Sequence, residues 1–175
     1  MVKLSAREIA VFGIIGAVMY VSKAAMSFIP NVHLVGVFIV ALTVVYRRKA
    51  LYPVYTYVFL EGLFGGFTLW WLPYLYVWAV LWGAVMVLPE NLPKKAAPLI
   101  YMAVCSCHGF LFGTLFAPAQ ALLFGLSFEE TIAWIAAGLP FDAIHGISNF
   151  FCGILIIPLV NILRRFEKAS TSSEF

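Results

Sequence analysis

The chain has 175 residues, 63% hydrophobic and only 11% charged, with a formal net charge of +3. Soluble domains carry about 25% charged residues, so this composition excludes a soluble globular domain. It excludes a nucleic-acid binder too, because the eleven Lys and Arg residues are dispersed between apolar stretches and form no continuous basic face.

A helix crossing the hydrocarbon core needs roughly 20 apolar residues, and the sequence divides into six such stretches. The first runs from Ala6 to Met26 and the second, a short one, from Leu34 to Tyr46. The third covers Leu51 to Phe67, the fourth Trp71 to Leu88, the fifth Pro98 to Ala117 and the sixth Phe141 to Leu163. The first stretch is too long for a signal-peptide core and no small-residue cleavage site follows it, so it is expected to remain as a helix. Ser127 with Glu130 three residues on is a capping box, and Gly138 and Pro140 are stop signals. Together they predict a short extra helix over Thr131 to Ala137, in the outer loop between helices five and six. Its Trp134 suits the headgroup level. The fold expected is an all-α bundle of six transmembrane helices in one domain, 1–168, with a polar tail over 169–175.

Charge sets the orientation. Lys3, Arg7, Arg47, Arg48, Lys49, Lys94, Lys95, Arg164, Arg165 and Lys168 all fall in alternate gaps, whereas the intervening gaps hold no Lys or Arg. The positive-inside rule then places both termini in the cytoplasm. The eleventh cation, Lys23, lies within the first apolar stretch.

Two faces stand out. Ala6, Ala10, Gly13, Ala17 and Ala24 fall within an arc of roughly 60° on helix one, a smooth surface that admits close approach by a neighbouring helix. That neighbour is either this chain's own bundle or a separate membrane subunit. Polar residues form the second pattern: Lys23, Glu61, Gln120, Asp142, His145 and Asn149 all gather toward the outer ends of their helices, and His108 lies near mid-membrane. Charges inside the hydrocarbon are costly and mark functional positions by default. Lys23 either snorkels to the outer headgroups or pairs with Glu61, Asp142 or an anionic ligand group; Asp142 is either part of a site or an N-cap of helix six. Trp71, Tyr74, Trp78 and Trp82 share one face of helix four. Trp71 and Tyr74 fit either an interfacial belt or a cavity wall, whereas Trp78 is too deep for the belt. The connection Pro30-Asn31-Val32-His33 is either a plain turn or a gate over the site.

Chemistry beyond binding finds no support. There is no phosphate loop, no H-E-x-x-H pair and no G-x-S-x-G elbow, so the chain is read as neither an ATPase nor another enzyme. His33, His108 and His145 have no recognised metal spacing, and Cys105, Cys107 and Cys152 read as packing residues. No metal and no cofactor is expected.

Over nearly its whole length the chain resembles the S components of energy-coupling factor transporters from Gram-positive bacteria. The resemblance rests on Ala17 to Met26 leading into Pro30-Asn31-Val32-His33-Leu34, on Trp70-Trp71-Leu72-Pro73-Tyr74-Leu75-Tyr76-Val77-Trp78, and on Phe141-Asp142-Ala143-Ile144-His145. It implies a plasma-membrane protein that captures a vitamin or similar micronutrient at the outer face, its site drawn from Lys23, Asn31, His33, Glu61, Trp71, Tyr74, Trp78, His108, Gln120, Asp142, His145 and Asn149. It also implies docking through Ala6, Ala10, Gly13 and Ala17 onto a transmembrane coupling subunit driven by two cytoplasmic ATPases. Among ligands, cobalamin is narrowly preferred on general resemblance over pantothenate, queuosine and pyrimidine precursors. A self-sufficient secondary transporter is the alternative.

Overall fold

The computed structural model describes the backbone of residues 4–171 and the side chains of residues 4–167. Lys3, the Lys168 side chain and the end of the expected tail lie outside the described residues. Those described fold into α-helices with no strand among them.

Helix α1 (Ala6–Ala25) starts at the capping box Ser5 and Glu8, in which Ser5 Oγ accepts from the Glu8 amide at 3.2 Å and Glu8 accepts from the Ser5 amide at 2.9 Å. Helix α2 (Val35–Tyr46) is apolar on every side and forms the core, with Val35, Ile39, Val40, Ala41 and Leu42 all fully buried. A helix of that kind belongs at the centre of a bundle, and α2 packs against α4, α5 and α8. A 3-10 turn, Arg47–Ala50, joins it directly to α3 (Leu51–Gly65). Arg47 has φ +51°, far from helical values, so α2 and α3 are separate rods even though no loop divides them. Helix α1 lies along α3, where Gly16 lets the backbone approach Thr56 and Pro53.

Helix α4 (Tyr74–Val87) is followed by α5 (Ala97–Phe110) and α6 (Phe112–Phe124), which are separated by a single non-helical residue, Leu111. Gly125, in the left-handed region at φ +66°, closes α6 in the manner of a helix C-terminal glycine. Helix α7 (Phe128–Cys152) returns along α5 and α6. A 3-10 turn, Gly153–Leu155, passes it into α8 (Ile156–Thr171).

Three expectations need correction. The expected fifth helix, Pro98 to Ala117, is broken at Leu111 into α5 and α6, and its second part runs past Ala117 to Phe124. The short outer helix does not exist as a separate element, because α7 runs unbroken from its Ser127–Glu130 capping box through Gly138 and Pro140 into the expected sixth helix. Proline interrupts a helix by removing one donor and crowding the preceding turn, but in apolar helices neighbouring groups accommodate the loss. With α5 and α6 joined across the single residue Leu111, the helical residues fall into five stretches, not six, since α2 and α3 share one. Three stretches are long and apolar enough to cross a membrane: 6–25, 97–124 and 128–167. The 12, 15 and 14 residues of α2, α3 and α4 are each shorter than a full crossing.

The outer surface carries large apolar side chains throughout, with Ile14 64% and Val87 85% exposed, which suits contact with lipid tails and not with water. One end of the bundle is polar. Arg7, Arg47, Arg48 and Lys49 there line a depression of about 640 Å³ with Glu8, Glu90 and Glu167. Lys49 reaches Glu8 at 2.5 Å and Arg47 reaches Glu90 at 3.3 Å. The Arg47 carbonyl accepts from Trp82 Nε1 at 3.1 Å, and the Arg47 guanidinium donates to the Met86 carbonyl at 3.0 Å. This clasp fastens α4 to the turn between α2 and α3.

Candidate functional site

At the opposite end, the segment between α1 and α2 folds over a cavity of about 410 Å³. Asn31 makes the fold-over possible: its backbone is left-handed, φ +61°, a conformation that Asn tolerates better than most residues. Its carbonyl accepts from Ser148 Oγ at 3.0 Å, and this bond pins the segment to α7. Met26, Pro30 and Asn31 roof the cavity, Tyr20, Tyr74 and Phe112 wall it, and His33, Trp78 and His145 are buried at its base.

Lys23 and Glu61 meet at the rim. Their charged atoms are 2.5 Å apart, linking α1 to α3, and the ammonium also sits 5.3 Å from the centre of the Tyr74 ring, within cation–π range. Lys23 therefore turns toward Glu61 and Tyr74. Trp78 is the hub of the base. The rings of His33, Tyr57, Tyr74, His108 and Phe112 lie 5.4 to 6.1 Å from it, and His145 packs on His33 at 4.8 Å and on Phe112 at 4.9 Å.

Buried polar atoms in proteins are almost always hydrogen-bonded. Here Trp78 Nε1, His33 Nδ1 and both ring nitrogens of His145, on residues lining the cavity, and Tyr57 Oη, His108 Nδ1, Gln120 Nε2 and Asn149 Oδ1, on residues outside it, are buried with no partner among the described residues. Trp78, His33 and His145 are at most 9% exposed. Three such side chains line one cavity, a composition like that of ligand sites, in which apolar walls surround a few polar groups that fix orientation.

Of the twelve expected site residues, the structure brings seven to the cavity: Lys23, Asn31, His33, Glu61, Tyr74, Trp78 and His145. The other five act elsewhere, for reasons of packing. Trp71 lies over Gly62 and donates to the Val58 carbonyl at 2.7 Å, so its indole is spent on α3. His108 sits behind Trp78 and contacts the Val77 carbonyl at 3.0 Å, bridging α5 to α4. Asn149 donates to the Cys105 carbonyl at 3.2 Å and, with Ser106 donating to Gly146, zips α7 to α5. Gln120 is buried on α6 outside the cavity.

Asp142 is the most instructive departure. It caps a helix, but a different one from that expected: both carboxylate oxygens accept from the Gly113 amide, at 2.9 and 3.0 Å. Gly113 is the second residue of α6, whose own N-cap, Leu111, has no side-chain acceptor, so an acid on α7 supplies the bond that the first turn lacks.

Phe112 and Tyr20, which line the cavity, and Tyr57, which packs on Trp78, are the contributors that sequence reasoning overlooked. For Phe112 a signal existed, because His108, Phe112 and Phe116 recur every four residues along one helical face. The three histidines do not assemble into a metal centre: among the described residues no group of three or more His, Cys, Asp or Glu side chains is placed to hold a metal ion.

The small-residue face of α1 turns away from the bundle. Ala6 and Ala10 are exposed, Gly13 and Ala17 are half-buried, and a Cβ added at Gly13 would meet nothing within 4 Å. The helix packs on α3 through Gly16 instead, which leaves the stripe uncovered. Compared with known proteins, the chain matches no family model, and no curated protein or solved structure is significantly similar to it.

Proposed function

We propose that the chain is the substrate-binding S component of an energy-coupling factor transporter, a multi-pass protein of the bacterial plasma membrane with both termini in the cytoplasm. The observation that carries this reading is the cavity beneath the Asn31 segment, with the unpartnered nitrogens of His33, Trp78 and His145 at its base. The break at Arg47 supports an even number of crossings from five helical stretches, since it lets α2 and α3 run as separate legs. The basic depression at the far end matches a cytoplasmic face. The cavity's size bears on the ligand. At about 410 Å³ it lies low in the range of roughly 300–1,000 Å³ typical of drug-sized ligands, which favours a compact vitamin-like molecule over a corrinoid such as cobalamin.

The uncovered stripe of α1 serves in this reading as the docking face for a membrane coupling subunit, which two ATPases drive. Coexpression with such a coupling module tests it. The chain is expected to copurify with the module, and Ala10→Trp to abolish copurification while the lone variant keeps the wild-type melting temperature, because Ala10 is exposed. Equal copurification of Ala10→Trp would remove the stripe from docking. Uptake into liposomes by the chain alone, without ATP, would replace this function by a secondary carrier.

A further inference from the structure

The polar inventory of the cavity restricts what it can hold. Among the described residues, Lys23 and Glu61 are the only Lys, Arg, Asp or Glu residues lining it, and they neutralise one another at 2.5 Å. An added ionic group would enter a buried site as an uncompensated charge, or would have to break that pair. The remaining requirement is specific. Trp78 Nε1 is a donor only, and a neutral imidazole offers one donor and one acceptor. His33 packs against both Trp78 and His145, and since Trp78 Nε1, His33 Nδ1 and both nitrogens of His145 have no partner among the described residues, a ligand that satisfies them must present acceptors and at least one donor together. The flanking Tyr74 and Phe112 rings favour a flat partner, since aromatic faces stack on planar π-systems.

Building on the binding-subunit reading, we infer that the cavity binds an uncharged, compact, planar heterocycle with a lactam or amide edge, of the kind nucleobases carry, laid against Trp78, His145 and His33. The N–H of such an edge donates to the free nitrogen of His145. Its C=O groups, and in a purine its pyridine-type ring nitrogens, accept from Trp78 Nε1 and from the imidazole N–H. Lys23 and Glu61 stay paired at the rim and close the site over the bound ring.

The experiment is calorimetric titration of the full chain in detergent, in matched pairs. Uracil and hypoxanthine are the lactam probes. Their N-methylated forms remove the donor edge, orotate adds one carboxylate to the uracil ring, and pantothenate, thiamine and cyanocobalamin represent anionic, cationic and corrinoid ligands. Binding of a lactam probe, weakened tenfold or more by N-methylation, with no binding of orotate, is the expected result. His145→Phe keeps a ring in the packing and removes both nitrogens, and it should weaken the same probe about tenfold, which corresponds to about 1.4 kcal/mol. Its melting temperature reports folding independently. Preferential binding of a charged ligand or of cyanocobalamin, or no binding of any lactam probe at millimolar concentration, would overturn the inference. None of these outcomes touches the docking test, so the ligand class and the transporter role fail separately.

Discussion

Asp142 and Gly113 offer the most direct test of how the bundle is held together. Asp142 is 6% exposed, and its carboxylate brackets the Gly113 amide at 2.9 and 3.0 Å. A hydrogen bond to a charged group contributes about 1.5–3 kcal/mol. Interhelical bonds in membrane bundles average nearer 0.6 kcal/mol, but this one also occupies an amide at a helix N-terminus, where negative charge is favoured. Asp142→Ala is therefore expected to cost about 1.5–2 kcal/mol. Gly113→Ala should be harmful for the reciprocal reason: its Cβ would lie 2.5 Å from Asp142 Oδ2 and 3.2 Å from Cγ, and overpacking of that kind costs about 1–3 kcal/mol. The three heavy atoms nearest to that Cβ all belong to Asp142. In the Asp142→Ala background the clash vanishes, and Ala gains up to about 1 kcal/mol over Gly as a helix former. Gly113→Ala thus changes sign, from destabilising alone to stabilising in the double variant. Denaturant or thermal unfolding in detergent, run as a double-mutant cycle, reads the coupling, expected at about 2 kcal/mol or more. Strictly additive effects would refute the bracket. So would an Asp142→Ala variant of native stability that has lost its ligand, because the acid would then belong to the site.

Lys23→Met should destabilise the chain by about 1–2 kcal/mol in detergent, a value reduced from that of a fully buried pair because the two side chains are 27% and 13% exposed. The double variant Lys23→Met/Glu61→Gln should recover more than half of the loss, and a double variant worse than the single one would show that the pair is not what links α1 to α3. Ser148→Ala removes the pin on the Asn31 carbonyl, and amide hydrogen exchange over residues 28–33 should accelerate while α2 stays protected. Unchanged exchange in that segment would mean that the pin does not hold the roof.

The extent to which the sequence disclosed this arrangement depends on what makes each residue conspicuous. Lys23, Glu61, His33 and His145 are legible because polar groups are costly in apolar helices, and such groups are sparse enough here to be noticed singly. The capping box at Ser127 and Glu130 is legible because its bonds are local. What stays hidden depends on partners distant in the chain. Nothing near Asp142 reveals that α6 begins at Phe112, since Phe110-Leu111-Phe112 is one apolar run without a turn signal. The fates of Trp71 and Asn149 likewise turn on the carbonyls of Val58 and Cys105, 13 and 44 residues away. The stop reading at Gly138 and Pro140 fails because local punctuation that would end a helix in water is overridden where the surroundings are apolar. Phe112 and Tyr57 are missed because aromatics make up 17% of the chain, so none of them stands out by type.

The clasp at Arg47 also dictates where the molecule can yield. Indole, guanidinium and two carbonyls knot three rods together at the basic pole, with a lysine–glutamate tether adding a fourth, while the opposite mouth is spanned by one serine bond and one ion pair. A body stitched at its foot and held by fewer bonds at its crown is expected to yield first at the crown, because segments with few such contacts open at the lowest cost.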